Sequence, residues 1–199
     1  EKNYFQPIVV GDECVIHSTF HHDIPKVKYD IVIDPKMAFG TGHHATTAQV
    51  IESILAIDMR GRTLIDMGTG TAILSILAAM RGATSVTAIE IDDFAYANAI
   101  ENVNINGVSD VVKLVNGDAA ALSGVEPADI FLANINRNVI LGDIEAYASH
   151  LRNSGIMILS GFYEDDVPMI EAAARPLGLV IEAIRSRNKW TVLTLCKQS

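Results

Sequence analysis

From Thr46 onward, the sequence alternates short, continuous apolar runs with longer segments of helical pattern, and this alternation constrains the fold most strongly. Short apolar runs bounded by glycine or polar residues are typical of strands that are covered on both faces. Strands that alternate with helices predict a parallel sheet with helices packed against both sides. The pattern therefore predicts an α/β chain with a doubly wound sheet.

The predicted sheet combines parallel strands with a terminal hairpin. Parallel strands are predicted at Thr63–Gly68, Ser85–Ile91, Val111–Gly117, Ala128–Ile135 and Ile156–Phe162. Helices are predicted at about Thr46–Ile57, Ala72–Gly82, Asp93–Ile105, Val139–Leu151 and Asp165–Leu177. The last two apolar runs, Leu179–Ser186 and Trp190–Cys196, predict an antiparallel hairpin. A seven-stranded, mostly parallel sheet that ends in such a hairpin favours the class I methyltransferase arrangement over a plain dinucleotide-binding fold.

The first 34 residues differ from the rest of the chain. They contain two β-type runs, Cys14–Phe20 and Tyr29–Asp34, and prolines at positions 7 and 25 with another at 35. Proline punctuates short strands because it cannot donate to a strand ladder. We expect residues 1–34 to form a short β segment or hairpin region that acts as a linker, and residues 35–199 to form the α/β domain.

Charge and cysteine content narrow the classes of function. The formal net charge is −9, and an acidic chain repels phosphate backbones, so nucleic acid is a poor candidate for a partner. No apolar run approaches the roughly 20 residues that span a bilayer, which argues against a membrane partner. Cys14 and Cys196 stand at opposite ends and form no disulfide framework, which favours a cytoplasmic protein.

A glycine turn follows the first central strand, at the kind of strand end where open α/β sheets bind ligands. In the segment Asp66–Ala72, Gly68 and Gly70 predict a tight turn that lets a ligand approach the backbone. A dinucleotide fingerprint requires a third glycine at the position of Ile73. The turn therefore resembles a loop that holds S-adenosylmethionine, with Asp66 orienting backbone amides or a ligand ammonium. A plain βα turn is the alternative interpretation.

Acidic residues follow the next two strands. Glu90 stands twenty residues beyond Gly70, where a carboxylate can accept hydrogen bonds from both hydroxyls of an adenosine ribose. Asp118 can meet the adenine amino group, and an Asx-type turn explains its position equally well. The glycine turn and Glu90 at this separation are more specific together than either feature alone.

Asn134 ends the predicted strand Ala128–Ile135 at the lip of the pocket. Methyl transfer from a sulfonium needs a neutral, oriented nitrogen and little covalent help from the protein. An amide oxygen can accept a hydrogen bond from an amine without adding charge, so Asn134 is the candidate catalytic residue. Asparagine is also a common turn former, which is the alternative interpretation.

The six histidines, which include the adjacent pairs His21–His22 and His43–His44, raise the question of a metal site. Neither an HExxH nor a CxxC motif accompanies them, and adjacent side chains point in different directions. We therefore predict no metal site.

Taken together, these motifs resemble the ribosomal protein L11 methyltransferase (PrmA) family. The segment Asp34–Thr47, DPKMAFGTGHHATT, resembles the hallmark of that family and is far more specific than a generic glycine turn. Further matching motifs are LIDMGTGTAILSI, AIEID, NGVSD, LANI and LSGF, in that order. The resemblance extends from about Phe5 to the C-terminus.

The resemblance implies that residues 35–199 are an S-adenosylmethionine-dependent methyltransferase domain. It implies methyl transfer to lysine side chains and the N-terminal amine of a large-subunit ribosomal protein. By motif position, Phe39, Gly40 and Gly42 would shape a loop over the methionine end of the cofactor. With the residues identified above, the candidate cofactor-binding set is Phe39, Thr41, Gly42, Asp66, Gly68, Gly70, Glu90, Asp118 and Asn134.

This chain departs from the family pattern in two ways. The family commonly has leucine after its Asn-Ile pair, whereas this chain continues with Asn136 and Arg137. Family members also carry an N-terminal substrate-recognition domain that these residues do not include. Alternatives are therefore a methyltransferase of the same fold acting on a small molecule, and a cofactor-binding domain that is inactive in this shortened form. A nicotinamide dehydrogenase is a further alternative, which Ile73 disfavours.

Overall fold

The computed structural model describes residues 6–34 and 41–199, without the side chains of residues 41–44. The strands are β1 (Ile8–Val10), β2 (Cys14–His17), β3 (Tyr29–Val32), β4 (Thr63–Met67), β5 (Ser85–Glu90), β6 (Val112–Asn116), β7 (Ala128–Asn134), β8 (Leu151–Tyr163), β9 (Leu179–Arg187) and β10 (Trp190–Lys197). The helices are α1 (Thr41–Leu55), α2 (Ile73–Met80), α3 (Asp93–Ile105), α4 (Arg137–Ser149) and α5 (Val167–Ala174). Within the described ranges, no helix combines the length and apolar character needed to cross a membrane.

Strands β4 to β10 form one seven-stranded sheet in the order β6-β5-β4-β7-β8-β10-β9. β4 pairs in parallel with β5 and β7, β5 pairs with β6, and β7 pairs with β8. β10 is antiparallel to both β8 and β9. This sheet confirms the predicted doubly wound, mostly parallel fold with its terminal hairpin.

Helices cover both faces of this sheet, and each face has its own apolar core. On one face, strand residues such as Leu64 and Val86 pack with α1, α2 and α3. On the other face, residues such as Ile65 and Phe131 pack with α4 and α5. The ring of Tyr147 on α4 stacks on Phe131, with centroids 4.9 Å apart. Because both faces are buried, each central strand is a continuous apolar run in the sequence.

A three-stranded sheet precedes the large sheet in the chain. β1 and β2 are antiparallel and turn at Gly11, whereas β2 and β3 are parallel. The predicted short β segment is therefore present and includes a hairpin, but this hairpin is formed by β1 and β2. The runs that begin at Cys14 and Tyr29 pair in parallel, because the segment between them is long enough to return the chain to the same end of the sheet. Cys14 and Ile31 are buried in the core that α1, α2 and α3 share. Burial raises the pKa of the Cys14 thiol to about 12, so this thiol is protonated at neutral pH.

Several helix boundaries differ from the predicted ones. α1 begins at Thr41 instead of Thr46. α4 begins at Arg137 because the side chain of Asn136 caps it, accepting a hydrogen bond from the Val139 N–H at 3.0 Å. Leu151, predicted to end that helix, begins β8 instead, and β8 runs for 13 residues. α5 is shorter than predicted because 3-10 turns flank it on both sides.

Candidate functional site

The carboxyl ends of the central strands bring the candidate residues to one edge of the sheet. Met67 at the end of β4 pairs with Ile89 of β5 and with Ala133 of β7. The glycine turn, Glu90 and Asn134 are the next features of these three strands. The residues predicted from separate motifs therefore lie at the same level of the sheet.

The glycine turn has a closed side and an open side. Gly68 and Gly70 both have left-handed backbone conformations, with φ of 77° and 59°. A Cβ on Gly68 would lie 2.9 Å from Cγ1 of Ile135, so a side chain there would have to displace Ile135. A Cβ on Gly70 would meet no atom of the described residues within 4 Å, so these residues leave the space in front of Gly70 open. This open space beside a backbone without a side chain fits a bound ligand.

Asp66 supports this turn from inside the protein. Its side chain is only 1% exposed, and Oδ2 accepts hydrogen bonds from the hydroxyls of Thr69 and Ser75, both at 2.7 Å. Its Oδ1 has no hydrogen-bond partner among the described residues. Burial raises the pKa of Asp66 above its usual range, and the two hydroxyls oppose that shift. These contacts support an indirect role in shaping the turn, and a direct contact with a cofactor stays a prediction.

Glu90 ties the glycine turn to the end of β5. Its Oε1 accepts a hydrogen bond from the Gly70 N–H at 2.8 Å, and its Oε2 accepts one from the Asp92 N–H at 3.1 Å. The Glu90 backbone carbonyl accepts the N–H of Gly117 at 3.0 Å, which holds the end of β6 beside it. A carboxylate has about four acceptor sites, so this fixed group retains capacity for two ligand hydroxyls.

Asp118 is exposed and caps the 3-10 turn Ala119–Gly124. Its Oδ1 accepts a hydrogen bond from the Ala120 N–H at 2.9 Å. The Asx-type turn that was the alternative interpretation is therefore present. A contact between Asp118 and adenine stays a prediction.

Two exposed apolar side chains next to Glu90 were not predicted from the sequence. Ile91 is 66% exposed and Phe94 is 61% exposed, although both are large and apolar. Ile91 directly follows Glu90 at the ligand edge of the sheet, where a flat heterocycle can cover it. The signal in the sequence is the Glu-Ile-Asp run, in which one apolar residue stands between acidic ones after the strand has ended.

Asn134 is half-buried at the end of β7, beside a glycine of β8. Its amide makes no hydrogen bond to the described residues, so its oxygen and nitrogen are available to a ligand. A Cβ on Gly161 (φ 101°) would lie 3.0 Å from the Asn134 Oδ1 and 2.8 Å from the carbonyl of Ile135. Gly161 therefore makes room for the Asn134 amide, a role that the LSGF motif did not reveal.

A groove of about 500 Å³ opens next to Gly161. Arg137 and Asp166 both line this groove and form an ion pair at 2.9 Å. The rings of Tyr163 and Trp190 lie against each other along its wall, with centroids 4.5 Å apart. The residues that line the groove are Asn136, Arg137, Asn138, Gly161, Phe162, Tyr163, Asp166 and Trp190.

The predicted loop over the methionine end of the cofactor is only partly described. Phe39 and Gly40 lie outside the described residues. Thr41 and Gly42 lie in the first turn of α1, which corrects the expectation that Gly42 belongs to a loop. Their contacts with a cofactor stay predictions, because no side chain is described there.

Three of the histidines, His17, His21 and His150, make separate contacts with nearby groups. His17 Nε2 lies 2.6 Å from a carboxylate oxygen of Asp30, and the Ser18 N–H donates to Nδ1 of His21 at 2.9 Å. His150 contacts the carbonyl of Ala146 at the end of α4. Across residues 6–34 and 45–199, no group of three or more histidine, cysteine, aspartate or glutamate side chains is arranged to hold a metal ion.

Comparison with known proteins gives one consistent result. The family model described as ribosomal protein L11 methyltransferase (PrmA) matches residues 1–198. A ribosomal protein L11 methyltransferase of Bacteroides fragilis is 50% identical over 193 residues, which cover 97% of this chain and 69% of the relative. A protein of the same name from Porphyromonas gingivalis is 45% identical and is matched over 100% of this chain and 68% of its own length.

Solved structures agree with the family match. The crystal structure of a ribosomal protein L11 methylase from Lactobacillus delbrueckii subsp. bulgaricus is 28% identical and superposes with a TM-score of 0.86. The match covers 99% of this chain and 100% of that one. A methyltransferase from Pyrococcus furiosus, 20% identical with a TM-score of 0.68, shares the fold.

Proposed function

The chain belongs to the ribosomal protein L11 methyltransferase (PrmA) family, and from that premise we propose that it methylates amines of ribosomal protein L11. The methyl donor of this family and fold is S-adenosylmethionine. The proposed acceptors are lysine side chains and the N-terminal amine. We further propose that residues 35–199 form the methyltransferase domain, that residues 1–34 act as a linker, and that the enzyme works in the cytoplasm on a protein substrate without binding nucleic acid.

One observation carries this proposal. The Glu90 carboxylate is fixed on the Gly70 N–H at 2.8 Å, next to the open space in front of Gly70. Asn134 is the last residue of β7 and lies at the same edge of the sheet. In the sheet order, β7 is two strands away from β5, which ends with Glu90. A ribose acceptor and an amine acceptor thus stand at two sides of one site.

This chain would hold the cofactor through four features. Glu90 would accept hydrogen bonds from the ribose hydroxyls, and the Gly68–Gly70 turn would lie against the cofactor backbone. Ile91 would cover one face of the adenine, and Asp118 would meet the adenine amino group. S-adenosylmethionine, when bound, supplies an electrophilic methyl group.

On the acceptor side, the amide of Asn134 would orient the amine. Its Oδ1 can accept an N–H of a neutral amine, which leaves the nitrogen lone pair free to face the methyl group. Because an amide carries no charge, it does not favour the protonated, unreactive form of the amine. The groove beside Gly161 would take the chain that carries the amine, between the Tyr163–Trp190 pair and the Arg137–Asp166 ion pair.

Two measurements test the proposal. Calorimetry on this chain should show binding of S-adenosylhomocysteine and no binding of NADH. Incubation with labelled S-adenosylmethionine should transfer label to purified L11 in preference to small amines. NADH binding without S-adenosylhomocysteine binding would refute the proposal. Labelling of small amines alone would favour the small-molecule alternative, and cofactor binding without any transfer would favour an inactive binding domain.

A further inference from the structure

Helix α3 and its C-cap residue, Asn106, present three asparagines on one face, and none of them belongs to the site described above. Asn98, Asn102 and Asn106 follow one another at four-residue intervals, the spacing that aligns side chains along an α-helix. Asn98 and Asn102 are buried. A buried asparagine in a helix is unfavourable unless its amide finds partners. We call this row the asparagine ladder. The burial of two of its amides indicates that they have hydrogen-bond partners beside this face of α3.

The ladder bonds to the backbone at the end of β3. Asn106 pairs with Val32, donating from Nδ2 to its carbonyl at 2.6 Å and accepting from its N–H at 3.0 Å. The Oδ1 of Asn102 accepts the N–H of Asp34 at 2.8 Å. The Nδ2 of Asn98 donates to the carbonyl of Asp34, also at 2.8 Å.

The asparagine ladder thus makes the backbone hydrogen bonds that a neighbouring strand would make at the end of β3. Ile33 donates its N–H to His17 of β2 at 2.9 Å, so Val32 and Asp34 present their backbone groups on the opposite edge. Two residues of a strand rise by about 6.6 Å, and four residues of a helix rise by about 6 Å. Asparagines four apart on α3 therefore match backbone groups two apart on β3.

Asn102 alone among the three also contacts the glycine turn. Its Nδ2 donates to the carbonyl of Thr71 at 3.0 Å. Thr71 directly follows Gly70, whose N–H holds Glu90, and directly precedes Ala72. Ala72 has a left-handed backbone with φ of 71°, which is strained for any residue with a side chain and needs external support.

We propose that Asn102 is a positioning residue for the cofactor. By holding the Thr71 carbonyl, it fixes Ala72 in its strained conformation and keeps Gly70 where its N–H meets Glu90. The same amide bonds Asp34, so it also sets the distance between the turn and the start of the hallmark segment Asp34–Thr47. The inference rests on the proposed function in taking S-adenosylmethionine as the ligand at this turn.

A matched pair of variants separates this role from simple helix packing. Asn102→Asp and Asn106→Asp each keep the accepting Oδ1 and replace a donating NH₂ with oxygen, but only Asn102 contacts the turn. Asn102→Ala and Asn106→Ala form a second pair that introduces no buried charge. For each variant we would measure the Kd for S-adenosylhomocysteine by calorimetry, the Tm without ligand, and the hydrogen exchange of the Gly70 and Ala72 amides by NMR.

Both Asn102 variants should raise the Kd roughly tenfold, the effect of one neutral hydrogen bond, and should speed exchange at Gly70. Both Asn106 variants should lower Tm while leaving the Kd within about twofold. Equal changes in Kd for the two positions, or unchanged exchange at Gly70 in Asn102→Ala, would overturn the inference. Absence of S-adenosylhomocysteine binding by the unmodified chain would overturn the proposed function instead, and the exchange measurements would still decide whether Asn102 holds the turn.

Discussion

The carboxylate of Glu90, the last residue of β5, accepts the backbone N–H of Gly70 in the turn after β4 at 2.8 Å. This bond joins the end of β5 to the turn that follows β4, so the carboxylate is oriented before any ligand arrives. A group fixed in advance loses little freedom on binding, which favours affinity. Glu90 is therefore the residue whose removal most directly tests the cofactor side of the site.

Replacing Glu90 with alanine should weaken S-adenosylhomocysteine binding roughly 10- to 100-fold, because the ribose hydroxyls lose a charged acceptor. Calorimetry measures this change. Glu145→Ala is the matched control, since Glu145 is exposed on α4, and its Kd should equal that of the unmodified chain. Unchanged affinity in Glu90→Ala would remove this residue from the site.

Asn134→Ala should lower kcat roughly 100-fold, because an amine that is not oriented rarely presents its lone pair to the methyl group. The Kd for S-adenosylhomocysteine should change much less than kcat, since the main anchors of the cofactor are elsewhere. Single-turnover methylation of L11 and calorimetry give the two values. The exposed Asn153 offers Asn153→Ala as control. A large rise in Kd with kcat retained would make Asn134 a cofactor anchor and not the catalytic residue.

Gly161→Ala should impair both stability and turnover. The added Cβ would lie 2.8 Å from the Ile135 carbonyl and 3.0 Å from the Asn134 Oδ1, and φ at this position is 101°. We expect a loss of roughly 1–3 kcal/mol in the free energy of unfolding, measured in urea. Gly142→Ala is the control, because a Cβ there would meet no described atom within 4 Å, and alanine inside a helix should stabilise by about 0.5–1 kcal/mol. Equal stability of both variants would show that a Cβ at position 161 is tolerated, and that Asn134 does not require glycine beside it.

Asp66 should make stability fall as pH rises. Its pKa is raised in the folded state, so the folded protein holds the proton to higher pH than the unfolded chain does. The contribution of Asp66 is therefore fully present below its ordinary pKa of 3.8 and is lost as pH rises through the raised value. Asp66→Asn removes this titration. We would measure the free energy of unfolding of both proteins from acid to neutral pH and subtract the value of the variant from that of the unmodified chain. This difference should decrease as pH rises. A constant difference would contradict the raised pKa of Asp66.

The sequence was sufficient to predict the large sheet because its strands are buried on both faces and so appear as uninterrupted apolar runs. It was insufficient for the small sheet, where the direction of β3 relative to β2 depends on how the connecting segment packs. The end of α4 was placed too late because Leu151 suits a helix as well as a strand, and only pairing with Ala128 makes it part of β8.

Part of the candidate site could also be predicted, because apolar runs in the sequence show where the strands end. Glu90 and Asn134 follow apolar runs directly, so their place at the strand ends is determined by the sheet. The direction of a side chain is not determined in this way, and Asp66, one residue inside its strand, points into the core. Gly161 and Asn102 act through neighbours that are distant in sequence, so no local pattern marks them.

The position of β10 in the sheet has a consequence for how this chain folds during synthesis. β10 lies between β8 and β9, yet it follows both in the sequence. β9 pairs only with β10, so it cannot join the sheet until Trp190–Lys197 has left the ribosome. Until that moment β8 presents an unpaired edge, the kind of surface that promotes aggregation of nascent chains. By its pairing, the β9–β10 hairpin is therefore the last part of the large sheet that can be completed during synthesis.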